Sequence, residues 1–227
     1  MSRGTGVRAT RNPVVVVAGE DGNDRRSLRI LLEALCPQMR GRVVEISDSV
    51  RLRLATEANL ADRVAVLARK ARARAVRERA DLACVFVHED LDSVDGDGVA
   101  EIQARVCRAL VTELGTAHYV LSISEMEAWL LLFPNSLETF VSSWNVPAKR
   151  QGKDTGSFGD PKKILTHEVS MGARRYRESD APEIFEKIVN LGHIKTPSGS
   201  NRSWDLFCGD VECCCADHVR LAGKRTS

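Results

Sequence analysis

The chain alternates short continuous apolar runs with longer stretches in which apolar residues recur every three or four positions. Residues 14–18 form a β-branched run of the kind found in a strand buried on both faces. Residues 42–47, 82–87 and 118–123 read as three further strands. Between them the period lengthens. From Asp24, Leu28, Leu31, Leu32 and Leu35 recur at helical spacing until Cys36 and Pro37 stop the run. Residues 52–80 carry the stripe Leu60, Val64, Leu67, Ala71 and Ala75, and residues 99–114 turn Ile102, Val106 and Leu110 inward. Strands alternating with helices predict an α/β fold, a Rossmann-like and mostly parallel sheet flanked by helices.

After Ser124 the pattern changes to short helices, expected over 125–133 (stopped by Pro134), 137–144, 162–169, 181–190 and 201–215, with a break at 193–200. The expected organisation is a flexible tail at 1–12, an α/β core at 13–133, a helical extension at 134–221 and a tail at 222–227. Inside the extension, residues 147–163 form a loop rich in Gly, Pro and basic residues.

With 227 residues, 43% of them apolar, the chain can bury a sizeable core without disulfides or metals. Its 33 basic and 31 acidic residues nearly cancel, so a nucleic-acid footprint must come from local segregation of charge. No apolar stretch is long enough to span a bilayer, and residues 1–12 are basic but lack the apolar region of a signal peptide. A cytoplasmic chain with no membrane partner is expected. Seven cysteines, with three in a row at Cys213, Cys214 and Cys215, look unlike a disulfide framework and fit a reducing compartment.

The chemistry lies in acids at strand ends: Glu20, Asp21 and Asp24 after the first strand, Glu89, Asp90, Asp92, Asp95 and Asp97 after the third, Glu125 and Glu127 after the fourth. In a parallel sheet these ends share one edge, where ligand sites gather. Crowded carboxylates repel one another unless a cation sits between them, and oxygen donors suit Mg²⁺ or Mn²⁺. Glu20, Asp24, Asp90, Asp92, Asp95 and Glu127 are the candidate metal ligands. Two such ions can drive phosphodiester hydrolysis. Lys149, Arg150, Lys153, Lys162 and Lys163 of the basic loop are the candidate phosphate contacts. Glu20, Asp90, Asp92, Lys153 and Lys162 are the candidate catalytic residues.

Plainer readings stand beside these. The acids suit helix caps and turns, and the basic stripe between Arg63 and Arg79 suits a solvated helix face. Cys208, Cys213, Cys215 and His218 lack the paired spacing of common zinc sites, and Trp129, Trp144 and Trp204 are most simply core residues. No phosphate-binding P-loop occurs.

Glu20 after the first strand, with Asp24 one helical turn later, and Asp90-Leu91-Asp92 after a later strand resemble the TOPRIM fold of topoisomerases, primases and OLD-type nucleases. Glu127-Ala128-Trp129-Leu130, Asp160-Pro161-Lys162-Lys163 and the segments at 176–178 and 181–183 resemble a family of small bacterial TOPRIM-related proteins encoded beside ABC-type ATPases. The resemblance spans roughly residues 14–207. It implies a Mg²⁺-dependent nuclease acting on DNA or RNA with an ABC-type or OLD-like ATPase partner, in antiviral defence. It equally allows an inactive TOPRIM-like binding or regulatory subunit, and leaves homo-oligomerisation open.

Overall fold

The computed structural model describes residues 12–219, so the expected tails at 1–12 and 222–227 lie outside the described residues apart from Asn12. Strands β1 (Val14–Gly19), β2 (Val43–Ser49), β3 (Leu82–Asp90) and β4 (Ala117–Ser122) form one parallel sheet in the order β2-β1-β3-β4. The two central strands, β1 and β3, are the most continuously apolar, as strands covered on both faces must be. Helices α1 (Gly22–Leu35), α2 (Glu57–Arg77) and α3 (Val99–Leu114) connect them, giving the Rossmann-like α/β fold that the alternation predicts. Alternation along β3 sorts its side chains: Cys84 and Phe86 enter the core shared with α1, while Val85 and Val87 enter the one shared with α2 and α3.

The C-terminal part adds α4 (Glu127–Leu130), α5 (Pro134–Phe140), α6 (Pro161–Ile164), α7 (Ala181–Asn190) and α8 (Arg202–Cys214). Its Trp144, Phe185, Trp204 and Phe207 pack in the same core as Leu28 and Leu31 of α1, so the extension completes one face of the sheet. All three tryptophans are core residues, and the Trp129 indole donates to Ser203 Oγ at 2.9 Å. At the loop crossing, a side chain on Gly199 would collide with the Lys153 carbonyl, so glycine is what lets 153–155 meet 199–200.

Several boundaries differ from expectation. The helix expected from residue 52 starts at Glu57, because the Glu89 carboxylate captures the backbone N–H groups of Leu52 and Arg53, each at 3.2 Å or less, and holds that segment as a turn. Pro134 begins α5, an N-terminal role its fixed φ suits, and shifts the helix expected at 137–144 to Pro134–Phe140. β3 runs on to Asp90, since β1 and β4 pair with it as far as His88 and Asp90. The expectation of a chain without disulfides is overturned: Cys36, which ends α1, meets Cys215, just past α8, in a bridge spanning 179 positions. That separation hides in the sequence what packing of the two helix ends brings together.

Candidate functional site

The carboxyl ends of β1, β3 and β4 supply Asp24, Asp90 and Glu127 to one edge. Asp24 lies in the first turn of α1, and its N–H donates to the Asp21 cap at 2.9 Å. Asp90 closes β3 and accepts from Met126 N at 2.9 Å. Glu127 opens α4 and accepts from the Tyr176 hydroxyl at 3.0 Å. The Asp24 and Asp90 side chains are 15% and 14% exposed, and Glu127 is buried.

The three act on one another electrostatically. Burial pushes the Asp24 carboxyl up to about 7, with Asp21 and Glu127 adding to it. Glu127 is likewise raised to about 7 by burial, against the pull of Lys162. Asp90 stands well above the usual carboxylate range, through burial and then the charges of Asp24 and Glu127. Lys162, on α6, is the counter-charge: burial works against its ammonium, but Glu127, Glu125, Glu178 and Asp90 outweigh that and raise its affinity for its proton. Its Nζ lies 3.4 Å from Glu125 Oε1 and 3.5 Å from Glu178 Oε1. Glu125 and Glu127 sit on the same short segment, which places one toward Lys162 and the other toward Tyr176.

His88 lies among these acids. Its Nε2 shares a hydrogen bond with Ser122 Oγ at 2.8 Å and lies 3.5 Å from Asp90 Oδ1. Its Nδ1 has no hydrogen-bond partner among the described residues, with Asp24 Oδ2 at 3.6 Å. Complete burial lowers its pKa to about 4, so the ring is neutral at neutral pH. Period-two alternation explains why His88 and Asp90 share a face while Glu89 points to the other. Glu89 there accepts from Leu52 N, Arg53 N and the Tyr119 hydroxyl, a structural role.

The other expected ligands are more peripheral. Glu20 is half-buried just past β1, raised by burial and by Asp92. Asp92, in the left-handed region at φ 58°, ion-pairs with Arg53 at 2.6 Å, and Asp95 with Arg202 at 2.7 Å. Of the basic loop, Lys162 reaches the acids. Lys149 and Arg150 instead bind Glu168 at 3.0 and 2.8 Å, and Lys153 and Lys163 are exposed. The basic stripe of α2 is a solvated face whose Lys70, Arg72 and Arg74 pair with Asp48, Glu113 and Glu78. Cys215 is committed to its bridge, so the set Cys208, Cys213, Cys215 and His218 cannot ligate as such; the His218 side chain lies outside the described residues.

A cleft of about 340 Å³ lined by Lys162, Tyr176 and Glu178 opens beside the acids. A larger cavity of about 640 Å³, between α2 and the segment after β2, is not lined by Asp24, Asp90 or Glu127. Size alone would favour the second, but its lining brings no comparable cluster of buried carboxylates. At the acidic edge the donors are mostly hard oxygens, a set that fits Mg²⁺ or Mn²⁺. Sequence reasoning missed His88, Ser122 and Tyr176, although the alternation of β3 points His88 to the side of Asp90. No helix among the described residues is long and apolar enough to cross a membrane. Compared with known proteins, the chain matches no protein-family model, no curated protein and no solved structure.

Proposed function

We propose that this chain is a Mg²⁺- or Mn²⁺-dependent nuclease that hydrolyses phosphodiester bonds in DNA or RNA. The observation that carries the reading is the burial of Asp24, Asp90 and Glu127 at one sheet edge around, among the described residues, a single lysine, beside a His88 Nδ1 that has no hydrogen-bond partner among them. Such a group is costly to leave charged unless a cation joins it. Asp24, Asp90 and Glu127 would hold the ion, with Glu20 and Asp92 at the margin. A hard divalent cation there supplies Lewis-acid stabilisation of the scissile phosphate. Lys162 offsets charge growing on that phosphate, and Tyr176 fixes the Glu127 carboxylate through its hydroxyl.

The sequence resemblance of Glu20 and Asp90-Leu91-Asp92 to the TOPRIM pattern supports the same reading. It also brings an ABC-type or OLD-like ATPase partner, a cytoplasmic setting and a role in antiviral defence. A second reading is an inactive binding or regulatory subunit. One observation favours it: among the described residues, the group of three donors lying mutually within 4.8 Å is Cys84, His118 and Cys214, away from the acids.

Cleavage assays decide between them. Wild type and Asp90→Asn are incubated with plasmid, linear DNA and RNA, with Mg²⁺ or Mn²⁺, with and without the partner ATPase. Cleavage by wild type alone is the expected result. Equal cleavage by both would expose a contaminant, and none by either would support the binding subunit.

A further inference from the structure

The end of the sheet opposite the acids carries a different donor set. Cys84 near the start of β3, His118 near the start of β4 and Cys214 at the end of α8 each offer one donor atom, and these atoms lie within 4.8 Å of one another. Both thiols are fully buried, and the His118 side chain is 13% exposed. The ring is held on two further sides. Asp210 Oδ1, one turn before Cys214, sits 3.0 Å from His118 Nδ1, and Phe86 stacks on the imidazole at 4.7 Å.

We propose that Cys84, His118 and Cys214 bind a zinc ion. Thiolate and imidazole donors select zinc-like metals and disfavour Mg²⁺, so this site is chemically distinct from the acidic edge. The charge also balances in the bound state: two thiolates neutralise one Zn²⁺ once the imidazole has given up its extra proton, which suits a buried position better than a monovalent ion would. Binding releases to solvent the protons that the thiols and the His118 ring hold in the metal-free chain, where, against burial, Asp210 and Cys214 raise the imidazole to about 9. A histidine ligand commonly donates its second ring N–H to a carboxylate, and Asp210 stands in that place. It leaves Nε2 as the nitrogen assigned to the metal, with water in the fourth position. Small buried thiols are ordinary packing residues. Here Cys214 hydrogen-bonds both Cys84 and His118, so three donors from separate elements already converge on a ring fixed by a carboxylate, an arrangement a metal could take over. The ion would tie α8 to both β3 and β4, one residue before the bridge that ties it to α1.

The test uses the full chain with its Cys36–Cys215 bridge intact, stripped by chelator and then given one equivalent of Zn²⁺ or Co²⁺. Expected are one retained zinc per chain, a thiolate-to-cobalt charge-transfer band with tetrahedral ligand-field absorption, and protection of two thiols from alkylation. Asp210→Asn should weaken zinc binding about 10–100-fold. Cys84→Ser with Cys214→Ser should abolish the band, while Asp24→Asn and Cys213→Ser should keep it. Because the buried serines can also unfold the chain, the wild-type cobalt spectrum and thiol protection are the deciding measurements. Absence of both overturns the proposal. So does a Cys84–Cys214 bridge in the purified chain, or an unchanged cobalt band in the double variant.

Discussion

The two ends of β3 make opposite demands on the fold. Asp90 at the carboxyl end and Cys84 near the start point to the same face, about 20 Å apart by strand rise. At the carboxyl end, Asp24, Asp90 and Glu127 are groups that water would leave charged, and burial forces them toward their neutral forms. At the other end, burial holds the Cys84 thiol well above its ordinary range, so it stays neutral, and the His118 ring, raised against burial to about 9 by Asp210 and Cys214, already has Asp210 as a counter-charge at 3.0 Å. One edge is therefore unfavourable until something binds, whereas the other is tolerable empty. This difference makes the acidic edge the better candidate for catalysis, and makes the sulfur end better suited to structural use.

The sharpest way to break the comparison is to cross the variants. Asp90→Asn should abolish divalent-dependent cleavage while leaving the cobalt band at the sulfur end; Cys84→Ser should do the reverse. Parallel nuclease assays and cobalt spectra check both, and a variant that abolished both activities without unfolding would mean the two ends are one site. Next in size is the bridge beside the sulfur end. Closing 179 positions restrains the unfolded chain by about 5 kcal/mol on loop-entropy grounds. Urea melts of oxidised and reduced chain should therefore differ by several kcal/mol, and coincident midpoints would show that the bridge contributes nothing.

A smaller effect separates the ends by pH. Asp24 and Glu127 hold protons more tightly folded than unfolded, with pKa raised from 3.8 and 4.5 to about 7. The folded state thus binds more protons across that window, and metal-free stability should fall as pH rises from about 4 through about 7. Asp24→Asn should flatten that slope and raise metal-free stability at pH 8 by roughly 1–3 kcal/mol, read from melts without metal. Saturating Mg²⁺ should remove the slope in wild type, and a Mg²⁺-insensitive profile would count against the ion. Smallest is Tyr176→Phe, which deletes the hydroxyl donated to Glu127 and should cost about 1 kcal/mol in a denaturant titration.

Much of the fold was legible. Continuous β-branched runs marked the central strands, and the leucine spacing after Asp24 and the stripe from Leu60 to Ala75 marked α1 and α2. What failed to show was decided by distant partners. Glu89 unwound the start of the expected second helix from 37 positions away, and Cys215 met Cys36 across almost the whole chain. At the site, Asp24, Asp90 and Glu127 were legible because acids after strands must share an edge in a parallel sheet. Asp92 and Asp95 were equally acidic in sequence, but Arg53 and Arg202, brought up by other elements, engage them. The basic loop looked like a uniform cradle for phosphate. Glu168 engages Lys149 and Arg150, and only Lys162 is turned to the acids, a distinction that local composition cannot carry.

The Cys36–Cys215 bridge makes the stretch between them a covalent ring. A single protease cut within the exposed turn at residues 92–94 would open that ring without releasing a fragment, so the two pieces would migrate together until a reductant separates them. The same topology makes that turn a natural place for new termini: a rearranged chain beginning there would still carry the segments around Cys36 and Cys215 joined at the far side.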